Sequence, residues 1–94
     1  MPNSAPVLNT LQLVIVEDDP TVRLFLRDTL ENHLGHKVIG EAATGTEMVR
    51  TVLASEPDVV VFDIHLPHLD GLAALRQIYQ ERIVAAVAIT APQC

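Results

Sequence analysis

Four short aliphatic segments alternate along the chain with segments whose apolar residues recur every three or four positions. Short runs rich in β-branched residues favour strands, and the longer spacing favours helices. The pattern predicts strands at residues 11–16, 37–42, 59–62 and 84–90, and helices at residues 20–34, 44–56 and 70–80. Such alternation gives right-handed βαβ crossovers, so we expect an α/β fold with a doubly wound parallel sheet.

The length of 94 residues suits one small domain. Residues 1–10 contain two prolines, two asparagines and a serine, which is typical of a flexible leader, so we assign the domain to residues 11–94. Apolar residues make up 49% of the chain while aromatic residues make up 3%, so the core must be aliphatic. An aliphatic bias of this kind favours strands that are buried on both faces.

The formal net charge is −6, and Lys37 is the only lysine. Direct binding to nucleic acid needs clustered Lys and Arg, so we expect none. No apolar run approaches the roughly 18 residues of a membrane span, and the N-terminus lacks a secretion-signal pattern. The single cysteine, Cys94, fits a reducing compartment. We therefore expect a cytoplasmic protein without a membrane association.

Acidic residues follow two of the predicted strands directly. The first strand runs into Glu17, Asp18 and Asp19, the third runs into Asp63, and the fourth ends at Thr90. Ligands of open parallel sheets bind outside the C-terminal ends of the strands. If the first and third strands are neighbours, at least three carboxylates meet in one crevice. Such a group of like charges is unfavourable unless a cation lies among them.

An oxygen-only site with few carboxylates suits Mg²⁺, which also binds phosphate oxygens. A carboxylate can act as a nucleophile toward a phosphoryl group, and a hydroxyl at Thr90 could then donate to the phosphoryl oxygens. A simpler interpretation of each acid alone is a solvated loop or a helix cap. Asp19, which precedes Pro20, fits such a cap best.

Three segments together resemble the response-regulator receiver family: VIVEDDP at 14–20, PDVVVFDIHLPHLDG at 57–71 and AITA at 88–91. The resemblance implies a flavodoxin-like sheet of order 2-1-3-4 and phosphorylation by a sensor histidine kinase or phosphotransfer protein. By the same resemblance, Asp63 is the phosphoacceptor, and Mg²⁺ is held by Glu17, Asp18, Asp63 and the main-chain carbonyl of His65. Thr90 would be the switch hydroxyl, and Pro67 and Gly71 would shape the site loop. The chain is then a signalling domain and not an enzyme.

A finer resemblance concerns the ANTAR class of receivers, whose output domains bind RNA and prevent transcription termination. Asp63 and Thr90 are closer together in this sequence than in many receivers, and the segment 80–83 precedes the fourth strand. The resemblance implies a role in transcription regulation through an output domain, which residues 1–94 do not contain.

The sequence departs from the family after the fourth strand. A complete receiver has a fifth strand that ends in a lysine, together with further helices, and Lys37 lies before the second strand and cannot replace that lysine. We therefore expect the fourth strand to be an edge that exposes Val84, Val87 and Ile89 and drives self-association. The alternative is that these residues are part of a longer protein.

Two other functions stay open from the residues. One is an interaction module that works without phosphorylation, since the usual lysine is missing. The other is a Mg²⁺-dependent phosphohydrolase with an aspartyl nucleophile. Haloacid-dehalogenase-type phosphatases place a second aspartate two residues after the nucleophile, whereas this chain has His65 there.

Overall fold

The computed structural model describes residues 10–90. In this part of the chain the elements are β1 (Gln12–Val16), α1 (Pro20–Asp28), β2 (Lys37–Ala42), α2 (Gly45–Ser55), β3 (Val59–Asp63), α3 (Gly71–Tyr79) and β4 (Ala85–Ile89). A π-helical segment, Thr29–His33, directly continues α1. The proposed leader lies almost wholly outside the described residues. No helix in the described part is both long and apolar enough to cross a bilayer.

All four strands are parallel and lie in the order β2-β1-β3-β4. This confirms the predicted α/β fold and its flavodoxin-like strand order. Apart from Gln12 at the start of β1 and Asp63 at the end of β3, these central strands consist of aliphatic residues and one Phe. Val14, Ile15, Val16 and Val60 are fully buried. Strands buried in this way need cover on both faces of the sheet.

Helices α2 and α3 cover one face of the sheet. The core on this face includes Met48 and Val52 from α2, Ala74 and Ile78 from α3, and the strand residues Val14, Val16, Val60 and Phe62. A smaller cluster on the other face joins Ile15, Val38 and Val61 to the partly buried Leu26 and Leu30 of α1 and its continuation. The chain therefore forms three layers, with the larger core under α2 and α3.

Side-chain caps fix the start of each helix. Asp19 Oδ1 accepts hydrogen bonds from the N–H groups of Thr21 (2.9 Å) and Val22 (3.5 Å), so its predicted role as a cap is confirmed. Thr44 caps α2 by accepting from Glu47 N–H at 3.1 Å. Each cap satisfies N–H groups that lack a partner within the first helical turn. The loops at the C-terminal edge of the sheet are thereby held in fixed positions.

The prediction for the exposed fourth strand was partly wrong. Val84 is only 5% exposed and belongs to the core under α2 and α3. Its carbonyl accepts a hydrogen bond from the Tyr79 hydroxyl at 2.7 Å, which ties the end of α3 to the start of β4. Val87 is 51% exposed as expected. Ile89 is partly buried against the smaller cluster of Ile15, Val38 and Val61.

Candidate metal and phosphoacceptor site

The register between β1 and β3 places two acidic side chains side by side. Val16 pairs with Phe62, and the residues that follow them are Glu17 and Asp63. The Glu17 N–H also donates to the Ala42 carbonyl of β2 at 3.0 Å, so the main chain stays fixed beyond the end of β1. The pairing of the sheet therefore determines where these carboxylates lie.

The structure brings Glu17, Asp18 and Asp63 together. One carboxylate oxygen from each lies within 4.8 Å of the other two. Glu17 is 6% exposed and Asp63 is 8% exposed, whereas Asp18 is open to solvent. Two buried acids and one exposed acid thus surround a position that a small cation can reach from solvent.

The electrostatics of this cluster are unfavourable without a cation. Burial raises the pKa of Glu17, and a hydrogen bond with Asp18 and the negative charges of Asp63 and Asp18 raise it further. The Asp19 N–H, which donates to Glu17 Oε2 at 3.0 Å, acts in the opposite direction. A divalent ion among these oxygens would favour the ionised form of Glu17. The all-oxygen donor set and its open side fit Mg²⁺ with several retained waters.

The carboxylate of Asp63 is oriented by the loop that follows it. The His65 N–H donates to Asp63 Oδ1 at 2.9 Å, while the His65 side chain is exposed. A carboxylate oxygen that accepts one such bond keeps further lone pairs, and the second oxygen keeps its own. Asp63 can therefore offer oxygens both to a metal ion and to an incoming phosphorus atom.

The loop between β3 and α3 depends on two glycines. The Gly71 N–H donates to the Ile64 carbonyl at 3.1 Å. A Cβ at Gly71 would collide with the Phe62 ring and lie 2.6 Å from the Asp63 carbonyl oxygen. A Cβ at Gly45 would collide with the Leu69 carbonyl group. Both glycines allow a helix start to approach the site loop more closely than any other residue could.

Pro67 lies in a tight turn of the same loop. Its carbonyl accepts from the Leu69 N–H at 2.8 Å, and the residue between them, His68, has a φ of 72°. A positive φ at a non-glycine residue is unfavourable and persists where surrounding contacts fix it. Pro67 and Gly71 thus lie where a site loop was predicted, and Gly71 has a steric reason for its identity.

The remaining predicted residues lie at the expected ends of the sheet. Thr90 is exposed and follows Ile89, the residue that pairs with Asp63, so it lies at the edge that carries the carboxylates. Lys37 begins β2 and therefore lies at the opposite edge of the sheet, where it cannot act as the phosphate-binding lysine. Asp19 lies beside the cluster but uses its carboxylate for the cap of α1.

Two residues of the site region were missed at the sequence level. Gly45 lies against the Leu69 carbonyl group and so supports the loop. In the sequence, a glycine at a helix start followed by polar residues is only weak evidence for such a close contact. Arg23 donates through Nη1 to the Glu17 carbonyl at 2.7 Å. Nothing in the sequence position of Arg23 distinguishes it from the other arginines, because the contact depends on how α1 packs.

Comparison with known proteins agrees with this geometry. Residues 13–93 match the family model of the response regulator receiver domain. Over 81 residues the chain is 42% identical to protein-glutamate methylesterase/protein-glutamine glutaminase 3 of Hahella chejuensis, a match that covers 86% of this chain and 23% of that protein. It is 34% identical over 80 residues to the transcriptional regulatory protein PdtaR of Mycobacterium tuberculosis, with 85% and 38% covered.

A solved structure extends the comparison to three dimensions. The response regulator domain of Thermotoga maritima CheB matches with a TM-score of 0.83 at 28% identity, over 87% of this chain and 61% of that chain. The chain thus spans under two fifths of both curated relatives. The ANTAR class stays a prediction, because the matched family model describes the receiver domain alone. The family model, the identities and the shared architecture establish that this chain belongs to the response-regulator receiver family.

Proposed function

We propose that this domain accepts a phosphoryl group on Asp63 from a sensor histidine kinase or phosphotransfer protein, with Mg²⁺ as the cofactor. The observation that carries the proposal is the meeting of the Glu17, Asp18 and Asp63 carboxylates within 4.8 Å. Glu17, Asp18, Asp63 and the main-chain carbonyl of His65 would hold the ion. When bound, Mg²⁺ would neutralise charge on the transferring phosphoryl group.

The residues of the chain supply positioning and the nucleophile. An oxygen of Asp63 attacks the phosphorus of a phosphohistidine, the P–N bond breaks as the P–O bond forms, and the imidazole leaves with its electron pair and takes up a proton. The His65 N–H holds Oδ1 of Asp63 at 2.9 Å and so limits rotation of the carboxylate. Thr90, at the same edge of the sheet, would donate its hydroxyl to a phosphoryl oxygen and move toward Asp63.

The proposal gives the domain the role of a switch and not of an enzyme. The methylesterase named among the relatives is a whole protein of which this chain matches 23%, and the match lies in the receiver family. A change in the position of Thr90 after phosphorylation would alter the surface around the end of β4. The output activity would then belong to the domain or partner protein that binds that surface.

Phosphorylation by a small donor provides the test. The protein is incubated with acetyl phosphate and Mg²⁺, and its intact mass is measured over time. Asp63→Asn removes the nucleophile, and Asp58→Asn is the matched control at the other end of β3. Asp58 accepts a hydrogen bond from Gln12 N–H at 2.7 Å, which an asparagine oxygen can also accept.

Wild type and Asp58→Asn should gain the mass of one phosphoryl group, and Asp63→Asn or added chelator should abolish the gain. An adduct that survives in Asp63→Asn would place the phosphoryl group elsewhere. Absence of any adduct in the wild type would favour an interaction module that works without phosphorylation. Rapid release of phosphate from simple phosphate esters would instead indicate a phosphohydrolase.

We also propose that the free edge of β4 pairs with a second copy of this chain. Among the described residues, β4 pairs only with β3, so the main-chain groups on its other side have no strand partner. Val87 on this strand is 51% exposed, and Ile83 just before it is 86% exposed. An identical edge from a second chain would supply both main-chain hydrogen bonds and an apolar contact.

A further inference from the structure

The side chain of Arg23 connects three elements at the acidic end of the sheet. Its Nη1 donates to the main-chain carbonyl of Glu17 at 2.7 Å, and its Nε lies 3.0 Å from Oε1 of Glu41 in β2. The main-chain N–H of Arg23 donates to the Asp19 carbonyl at 2.9 Å, which places the residue in the first turn of α1. One guanidinium group therefore links α1, the end of β1 and β2.

The carbonyl that Arg23 holds has a special position. It belongs to the peptide group between Glu17 and Asp18, the two adjacent acids of the cluster. A peptide group is planar and rigid, so holding its oxygen fixes the orientation of the whole plane. The directions in which the Glu17 and Asp18 side chains leave the main chain depend on that orientation. The exposed Asp18 depends on it most, because it lacks the surrounding packing that holds Glu17.

A second arginine supports Glu41 without touching the acidic loop. Arg27 pairs with Glu41 and lies 3.3 Å from Glu31, and its side chain is 44% exposed. Arg23 is more buried, with 24% of its side chain exposed. The planar fork of an arginine can make the carbonyl and carboxylate contacts together, whereas a lysine ammonium is a single point donor. The two arginines thus share a partner but differ in their contact with Glu17.

We propose that Arg23 is a positioning residue that aligns Glu17 and Asp18 for Mg²⁺. This inference rests on the proposed function and adds a residue that acts through the metal ligands. Charge alone makes the opposite prediction, because removing a cationic side chain near a cation site should tighten Mg²⁺ binding. The sign of the change in affinity therefore separates positioning from simple electrostatics.

The test measures the Mg²⁺ dissociation constant by titration calorimetry and follows folding by circular dichroism. Loss of a group that orients metal ligands typically weakens metal binding by 10- to 100-fold, so Arg23→Ala should raise the dissociation constant by roughly tenfold or more. In the control Arg27→Ala the dissociation constant should stay within about twofold of the wild-type value. This variant also loses an ion pair with Glu41, but it keeps the contact between Arg23 and the Glu17 carbonyl. The rate of labelling by acetyl phosphate should recover in Arg23→Ala at high Mg²⁺ concentration.

Two further variants keep the inference testable if Arg23→Ala does not fold. Arg23→Lys can keep the charge and the pairing with Glu41 but loses the forked contact, so weaker Mg²⁺ binding is expected. Glu41→Gln removes the ion pair and leaves the carbonyl contact, so near wild-type binding is expected. Unchanged or tighter binding in both Arg23 variants would overturn the inference. Absence of Mg²⁺ binding in the wild type would instead overturn the proposed function.

Discussion

The His65 N–H donates to Oδ1 of Asp63 at 2.9 Å, so the proposed nucleophile is oriented by the main chain of its own loop. An asparagine at position 63 keeps an oxygen acceptor for this bond and removes only the charge. The loop should therefore keep its form in Asp63→Asn, which makes that variant a test of charge and not of folding.

In metal-free buffer at neutral pH we expect Asp63→Asn to be more stable than the wild type. Two charges about 4 Å apart repel by about 1 kcal/mol even in a water-like dielectric, so a gain of this order in the free energy of unfolding is expected. Urea denaturation followed by circular dichroism measures it. With saturating Mg²⁺ the order should reverse, because only the wild type keeps all the ligands. A variant less stable than the wild type without metal would show that repulsion in the cluster is unimportant.

Magnesium should raise the melting temperature of the wild type. A ligand that binds only the folded state at one hundred times its dissociation constant stabilises it by about 2.7 kcal/mol. For a domain of this size the shift is roughly 10 °C or more. Glu17→Gln should lose most of the shift, whereas Glu81→Gln, an exposed acid at the other edge of the sheet, should keep it. An equal shift in both variants would indicate that Mg²⁺ acts away from the cluster.

Gly71→Ala should destabilise the fold and slow phosphorylation. The added Cβ would collide with the Phe62 ring and lie 2.6 Å from the Asp63 carbonyl oxygen, so either β3 or α3 must move. Overpacking of this kind costs about 1–3 kcal/mol. The adjacent Leu72→Ala is the control, because Leu72 is 50% exposed. Urea denaturation and the rate of labelling by acetyl phosphate are the two measurements, and wild-type values for both in Gly71→Ala would contradict the steric argument.

The hydrogen bond and the ion pair of the Glu31 carboxylate should contribute stability that depends on pH. Its Oε2 accepts from the Val38 N–H at 2.9 Å, and this bond and the pairing with Arg27 lower the pKa of Glu31 below its ordinary value of 4.5. A lowered folded-state pKa gives stability that is present above the ordinary value and is lost as the pH falls through the folded-state pKa. Glu31→Gln should therefore be less stable than wild type at pH 7. The difference between their unfolding free energies should shrink on acidification, and a constant difference would exclude a charge effect.

Self-association should depend on the edge of β4 that does not pair with β3. Size-exclusion chromatography with light scattering should give twice the mass of the chain as concentration rises. Val87→Lys should shift the protein to the monomer, since a charge at an exposed strand position opposes pairing of like edges, and a side chain that is 51% exposed tolerates the change. A wild type that stays monomeric throughout would exclude the second copy as the partner of this edge.

The strands and the acidic cluster were predictable because each depends on local pattern plus one general rule. Aliphatic runs mark the strands, and the C-terminal ends of parallel strands share an edge. With the strand order that the family resemblance implies, β1 and β3 are neighbours, and Glu17, Asp18 and Asp63 meet as expected. The N-cap role of Asp19 follows from its position before Pro20. These features need no knowledge of how the helices pack.

Other features depend on tertiary contacts that no local pattern encodes. The π-helical Thr29–His33 ends where His36 N–H reaches the Leu30 carbonyl at 2.9 Å, and the first helix was predicted to continue to residue 34 without such a change. Val84 is buried because it packs into the core under α2 and α3, and the Tyr79 hydroxyl donates to its carbonyl. Arg23 contacts Glu17 only because α1 lies against both β1 and β2. In each case a contact made outside the helix or strand itself decides the outcome.

The adjacency of β1 and β3 also has a consequence for the order of events during synthesis. A ribosome-bound chain that has emerged only through β2 carries Glu17 and Asp18 but lacks Asp63, because β3 supplies the third acid. The three-acid cluster can then form only after the crossover through α2 has brought β3 beside β1. Mg²⁺ would act on the finished sheet, slowing its unfolding more than it speeds its assembly.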